Sequence, residues 1–140
     1  MICSVTIAGT LSATALPRLT ELADDARSAV VRQLEGSVRA ASALAHAQCV
    51  VQPSCAFRSG VGTVTMGGDA VHLERGYPQA GHAQGIAAAV QLSGFEVRHE
   101  EGETVFYLAQ APESMTCAVR YRAPQTDGGL PEVQARTDGC

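Results

Sequence analysis

Along the first half of the chain, apolar residues recur at intervals of three and four. Leu19, Leu22, Ala26, Val30, Leu34, Val38, Ala41 and Ala45 mark one stripe of a helix, while Glu21, Asp24, Asp25, Arg27, Arg32, Glu35 and Arg39 mostly occupy the remaining surface. Abundant alanine adds intrinsic propensity, and Gly36 is a mild cost. Before the stripe, Met1 to Leu16 carries no charge. Pro17 removes one backbone donor and bends the helix without ending it, because helix-favouring residues continue on both sides. The pattern predicts one helix from about Met1 to about Gln48, kinked near Pro17, with no polar face in its first third. That is far above the mean globular helix of about 11 to 12 residues.

After Pro53 the period changes. The stretch GTVTMGGDAVHLE predicts a hairpin, with Gly67, Gly68 and Asp69 as the turn between Thr63–Met66 and Ala70–Glu74. RGYPQAGHAQG reads as an irregular connection, and IAAAVQLSG as a short helix from Ile86 that stops at Gly94. FEVRHEEGETVFYLA predicts a second hairpin around Glu101–Glu103. The last segment gives a strand, a turn at Asp127–Gly129 and a final strand or extended tail. A long helix followed by a small antiparallel sheet is an α+β arrangement.

The chain has 140 residues, enough for one ordinary core. A formal charge of -4, with arginines scattered singly and no lysine, argues against a nucleic-acid partner, which needs a basic face. The N-terminal run has neither a basic n-region nor a clear small-residue cleavage site, so it does not read as an ordinary signal peptide. It is also shorter than the roughly 20 residues that span a bilayer as a helix.

Five cysteines without a Cys-x-x-Cys pair point to disulfides in an oxidising compartment. Cys3 lies in the apolar run and is the odd one out. Cys49, Cys55, Cys117 and Cys140 allow three pairings. Local pairing is favoured, Cys49 with Cys55 across CVVQPSC, where Pro53 helps turn the chain, and Cys117 with Cys140 across the C-terminal segment.

The stretch GTLSATALPRLTELADDARSAVVRQLEGSVRAASALAHA resembles the helix of type IV pilins, most closely the mannose-sensitive haemagglutinin (MSHA) pilin group. In that group a glycine precedes the helix proline as Gly9 precedes Pro17, and an arginine, an acidic pair, a glycine and SALAHA follow in order. The GYP of Gly76–Pro78, the following GIAAAVQLS and a paired cysteine at Cys140 extend the likeness over nearly the whole chain. The resemblance departs at the front. Mature type IV pilins begin with an N-methylated aromatic residue and carry a glutamate close behind it, after a short basic leader. Aligned on Gly9 and Pro17, Met1 falls inside the mature helix, so the expectation is a truncated start.

The resemblance implies a type IV pilin fold in two parts. Residues 1–17 would be the apolar helix half, serving as membrane anchor and filament core, and residues 18–140 the head. It implies a structural subunit inserted in the inner membrane, handled by the pilus assembly machinery and stacked with identical subunits into an extracellular filament. Adhesion, surface attachment or motility would be the outcome. Gly9 and Pro17 would let the helix lose hydrogen bonds locally on assembly. The alternative is a pseudopilin of a type II secretion apparatus. More distant is a secreted disulfide protein that binds a small ligand and never polymerises.

Other chemistry finds little to stand on. His46, His72, His82 and His99 share no metal-ligand spacing. His46 and Cys49 lie three apart, but a disulfide-bonded Cys49 offers no thiolate, and no set of nucleophile, base and oxyanion donors can be assembled. The expectation is therefore a non-enzyme without a cofactor. Asp127 and Asp138 are weak calcium candidates, since the dense carboxylate spacing of a calcium loop is absent. Glu100, Glu101 and Glu103 read as a solvated hairpin tip.

Overall fold

The computed structural model describes residues 19–53, 55, 60–91 and 93–140; Cys3, Gly9 and Pro17 lie outside them, as does the expected kink. Helix α1 spans Leu19–Val51, 33 residues, which at 1.5 Å per residue is about 50 Å. It runs one turn past the expected end at Gln48 and stops where Pro53 cannot continue the ladder.

The inward stripe of α1 is Val31, Leu34, Val38, Ala41, Ala45 and Cys49, all buried. From Leu34 onward this agrees with the predicted stripe, but Ala26 and Val30 do not belong to it. Ala26 is exposed and Val30 is 43% exposed, while half-buried Arg27 and buried Val31 take the inward positions. Both sides of the helix offer apolar residues at helical spacing, so periodicity alone could not choose between them.

Two antiparallel sheets pack on α1, where the sequence suggested one. Strands β1 (Val61–Met66), β2 (Asp69–Glu74) and β3 (Tyr77–Pro78) form the first, in that order. The β1–β2 turn is the pair Gly67–Gly68, with φ of 59° and 90°, and Asp69 opens β2 opposite Met66 instead of belonging to the turn. Two successive positive φ values match the tight hairpin turn that glycine favours. Strands β4 (Glu96–Glu100), β5 (Glu103–Tyr107), β6 (Ala118–Arg122) and β7 (Glu132–Arg136) form the second sheet, a meander. A 3-10 turn at Ser114–Thr116 precedes β6. Helix α2 is only Ile86–Ala89, because Val90 is already extended (φ -107°, ψ 131°). Four residues barely close one helical turn, so the element depends on packing through buried Ile86.

The core is divided between the sheets. The middle of α1, through Val31, Leu34, Val38 and Ala41, packs with Phe106, Val119, Tyr121 and Val133 of the four-stranded sheet and with Ile86. Its last turns, at Ala45 and Cys49, pack with Cys55, Val64, Val71 and Leu73 beside the three-stranded sheet. One helix therefore serves two sheets, and the segment Gly76–Pro78 ties the three together. His46 Nδ1 on α1 lies 2.8 Å from the Gly76 carbonyl and its ring stacks on Tyr77 at 4.2 Å. The buried Tyr121 hydroxyl of β6 donates to the Pro78 carbonyl at 2.7 Å.

Burial raises the Tyr121 phenol well above its ordinary value of 10.0. The folded chain then holds the proton more tightly than the unfolded one. Its contribution to stability is complete below pH 10 and is lost as pH rises through the folded value, since the unfolded phenol ionises first. Tyr121→Phe should cost about 1 to 2 kcal/mol in urea denaturation at pH 7, by leaving the Pro78 carbonyl unpaired. The variant should also lose stability less steeply above pH 10; parallel profiles for the two proteins would contradict this account.

Gly85 is required for space. Ile86 N–H donates to the Gln79 carbonyl at 2.9 Å, and a Cβ at Gly85 would run into that same carbonyl. Gly85→Ala should therefore destabilise by about 1 to 3 kcal/mol, whereas Gly36→Ala, where a Cβ meets open space, should stabilise. Thermal melting of the two variants checks the opposite signs.

Candidate assembly face and flanking trough

Opposite its buried stripe, α1 carries a second series of evenly spaced residues. Ala26, Gln33, Ala40 and Ala47 lie seven apart, as do Val30, Ser37, Leu44 and Val51, and all eight are exposed. Leu44 is 59% and Val51 78% exposed. No charged residue occupies the seam, which runs for about 39 Å along the helix. An alternation of three and four is the spacing at which one helix meets another at a shallow crossing angle of about 20°. The signal was present in the sequence, but the predicted stripe absorbed Ala26 and Val30 into the core and hid it.

Beside the seam lies a trough between α1 and the β6–β7 connection. Arg39, Ala43, His46 and Val50 form its helix wall, which by helical rise is about 17 Å long. One hollow of about 270 Å³ is lined by Arg39, Ser42, His46, Pro131 and Val133, and a second of about 320 Å³ by Val50, Arg75 and Gly128. Tyr77 and Leu130 border both. Leu130 is 76% exposed despite its size.

The calcium candidates are otherwise engaged. Asp127 accepts from Arg75 Nε at 3.0 Å, and Asp138 from Arg136 Nη2 at 3.3 Å. Arg75 is the described non-glycine residue with positive φ, at 51°, and also donates to Glu74 and to the Pro124 carbonyl. It ties the β2–β3 turn to the β6–β7 connection. Among the described residues, no group of three His, Cys, Asp or Glu side chains is arranged to hold a metal ion.

Both favoured disulfides are present. Cys49–Cys55 and Cys117–Cys140 span Cα–Cα distances of 5.2 and 4.7 Å. The second is stitched into its surroundings. Glu113 N–H donates to the Gly139 carbonyl, Gly139 N–H to the Thr116 carbonyl, and Arg27 Nε to the Cys140 carbonyl at 2.6 Å.

On the opposite side of the molecule, the outer face of the four-stranded sheet carries interleaved charges. Glu103 is not part of a solvated tip: it is 7% exposed, with Arg120 Nη1 and Arg122 Nε at 3.1 and 3.5 Å from its two oxygens. Cross-strand register explains the burial, because Val105 lies opposite both Arg98 and Arg120 and is itself fully buried. Long arginine stems cover the sheet there and enclose the carboxylate.

No protein-family model, no curated protein and no solved structure matches this chain. Among the described residues, no helix is long and apolar enough to cross a membrane.

Proposed function

We propose that the chain is a structural subunit of an extracellular type IV pilus filament, of the MSHA-like kind, serving adhesion, surface attachment or motility. The observation that carries this reading is the exposed, uncharged seam of α1 from Ala26 to Val51. A helix whose inner face is already covered by its own sheets keeps a second apolar face only at a cost in solubility, unless something packs on it. The spacing suits another helix, and copies of the same chain supply one. The long helix, the antiparallel meander and the disulfide-closed C-terminal segment agree with a pilin head. Under this reading the subunit waits in the inner membrane for the assembly machinery, with residues 1–17 as its anchor.

The pseudopilin alternative gains nothing from the carboxylates at Asp127 and Asp138, which pair with arginines. Shearing the surface of cells that make the protein, followed by immunogold microscopy, separates the two. Label along sheared filaments is expected. Protein confined to the periplasm, with unlabelled filaments, would overturn the proposal.

A further inference from the structure

We propose that the open edge of β1 is a second self-contact, distinct from the α1 seam, at which two copies of the chain pair their β1 strands antiparallel about a two-fold axis at Thr63. A sheet edge is a row of unpaired backbone groups, and folded proteins ordinarily blunt it with charge, proline or a covering segment. The other edges follow that rule. Strand β4 carries Glu96, Arg98 and Glu100, and β7 carries Glu132 and Arg136. Beyond β3 the far side of β2 is closed by the loop that follows, where Gln79 N–H donates to the His72 carbonyl at 2.9 Å and His72 N–H to the Gln84 carbonyl at 2.7 Å. Strand β1 is the exception. From Gly60 to Gly68 the chain has neither a charge nor a proline. Val61 is 71% exposed, and Thr63 and Thr65 are exposed as well. Among the described residues, no further strand lies beside it.

Register decides which groups face that edge. Residues opposite each other in an antiparallel pair exchange either both backbone bonds or neither, in alternation. His72 spends its N–H and carbonyl on the loop, so Thr63, opposite it in β1, receives neither from β2. Arg75 N–H donates to the Gly60 carbonyl at 2.9 Å, which sets the same phase. Gly62, Val64 and Met66 therefore bond to β2, while Val61, Thr63 and Thr65 turn their backbone groups outward. A second β1 fits them. With Thr63 opposite its own copy, Val61 meets Thr65, and every outward N–H and carbonyl of both strands finds a partner. Sliding by two residues would leave one outward residue of each copy without a strand partner. The outer face then pairs β-branched side chains across strands, a favourable contact. On the inner face Gly62 lies opposite buried Val64 and leaves it room. A two-fold contact closes on itself. It joins copies without extending a filament, which the seam does under the reading above.

The test follows the full chain in neutral detergent by sedimentation and amide exchange over a concentration series, both unaltered and with Leu44→Arg to disable the seam. A reversible dimer is expected in both. The amides of Val61, Thr63 and Thr65 should gain protection as it forms, whereas those of Gly62 and Val64 should be protected throughout. Thr63→Lys and Thr63→Glu should melt as the parent does, because Thr63 is exposed. Each alone sets like charges directly opposite each other and should weaken pairing, and a mixture of the two should pair about tenfold more tightly than either. A monomer across the series, a dimer whose Thr63 amide still exchanges rapidly, a dimer lost with Leu44→Arg, or a mixture no tighter than its components would overturn the proposal. Unlabelled filaments beside an intact β1 dimer would count against the filament reading alone.

Discussion

Leu44→Arg is expected to fold with an unchanged melting temperature and to disappear from sheared surface filaments. Leu44 is 59% exposed on the outward seam, with Ala40 and Ala47 as its helical neighbours, so the isolated head gains a solvated charge and loses little burial. Surface substitutions of this kind usually stay within about 0.5 kcal/mol. In a packed helix–helix contact the same arginine has no carboxylate on the seam to pair with. An unpaired charge buried at an interface costs about 3 to 5 kcal/mol, more than a hundredfold in each association step. Because a filament repeats that contact at every subunit, the effect on assembly should be close to complete. Arg32→Leu, off the seam, is the control and should assemble. Normal filaments from the Leu44 variant would show that this face is not the contact.

That prediction rests on a feature the sequence contained and sequence reasoning misassigned. The alternation of three and four in α1 was legible, and from Leu34 to Ala45 so was the inward side. Ala26 and Val30 were not, since with two apolar faces on one helix only the arrangement of the sheets decides which is covered. Tight turns were legible because they depend on local chemistry: Gly67–Gly68 adopts the positive φ that makes a two-residue hairpin. Strand β3 was not, being two residues whose pairing to β2 depends on hydrogen bonds between Glu74, Tyr77 and their neighbours and not on any alternation. The division into two sheets was hidden for the same reason. Glu103 shows the limit most clearly. Its neighbours Glu100 and Glu101 suggest a solvated tip, yet cross-strand register carries it beside Arg120 and Arg122. Asp127 likewise finds Arg75 from more than fifty positions away, a partner no spacing rule reaches. Long-range contacts decide these residues, whereas the cysteine pairs close locally enough to be favoured from chain separation.

The second large effect concerns Cys117–Cys140. Replacing both cysteines by serine should lower unfolding free energy by about 3.5 kcal/mol, from the loop-closure entropy of a bridge spanning a sequence separation of 23. The corresponding loss for Cys49–Cys55, with a separation of 6, is about 2.2 kcal/mol. Context widens the difference. Cys117 is fully buried in the main core cluster, and Cys140 brings a carbonyl to Arg27 Nε. Without the bridge, the ladder between Glu113, Thr116 and Gly139 must hold the last residues unaided. The Arg27 contact then fails with it, and the inward side of α1 beside Val31 opens to water. Urea denaturation of Cys117→Ser/Cys140→Ser should show the larger midpoint shift, accompanied by rapid amide exchange at Gly139 and in the first described turns of α1. If the two double variants lose equal stability, chain entropy and the Arg27 contact do not act as described. If amide exchange in α1 stays slow, the C-terminal segment is not what closes that end of the helix onto the head.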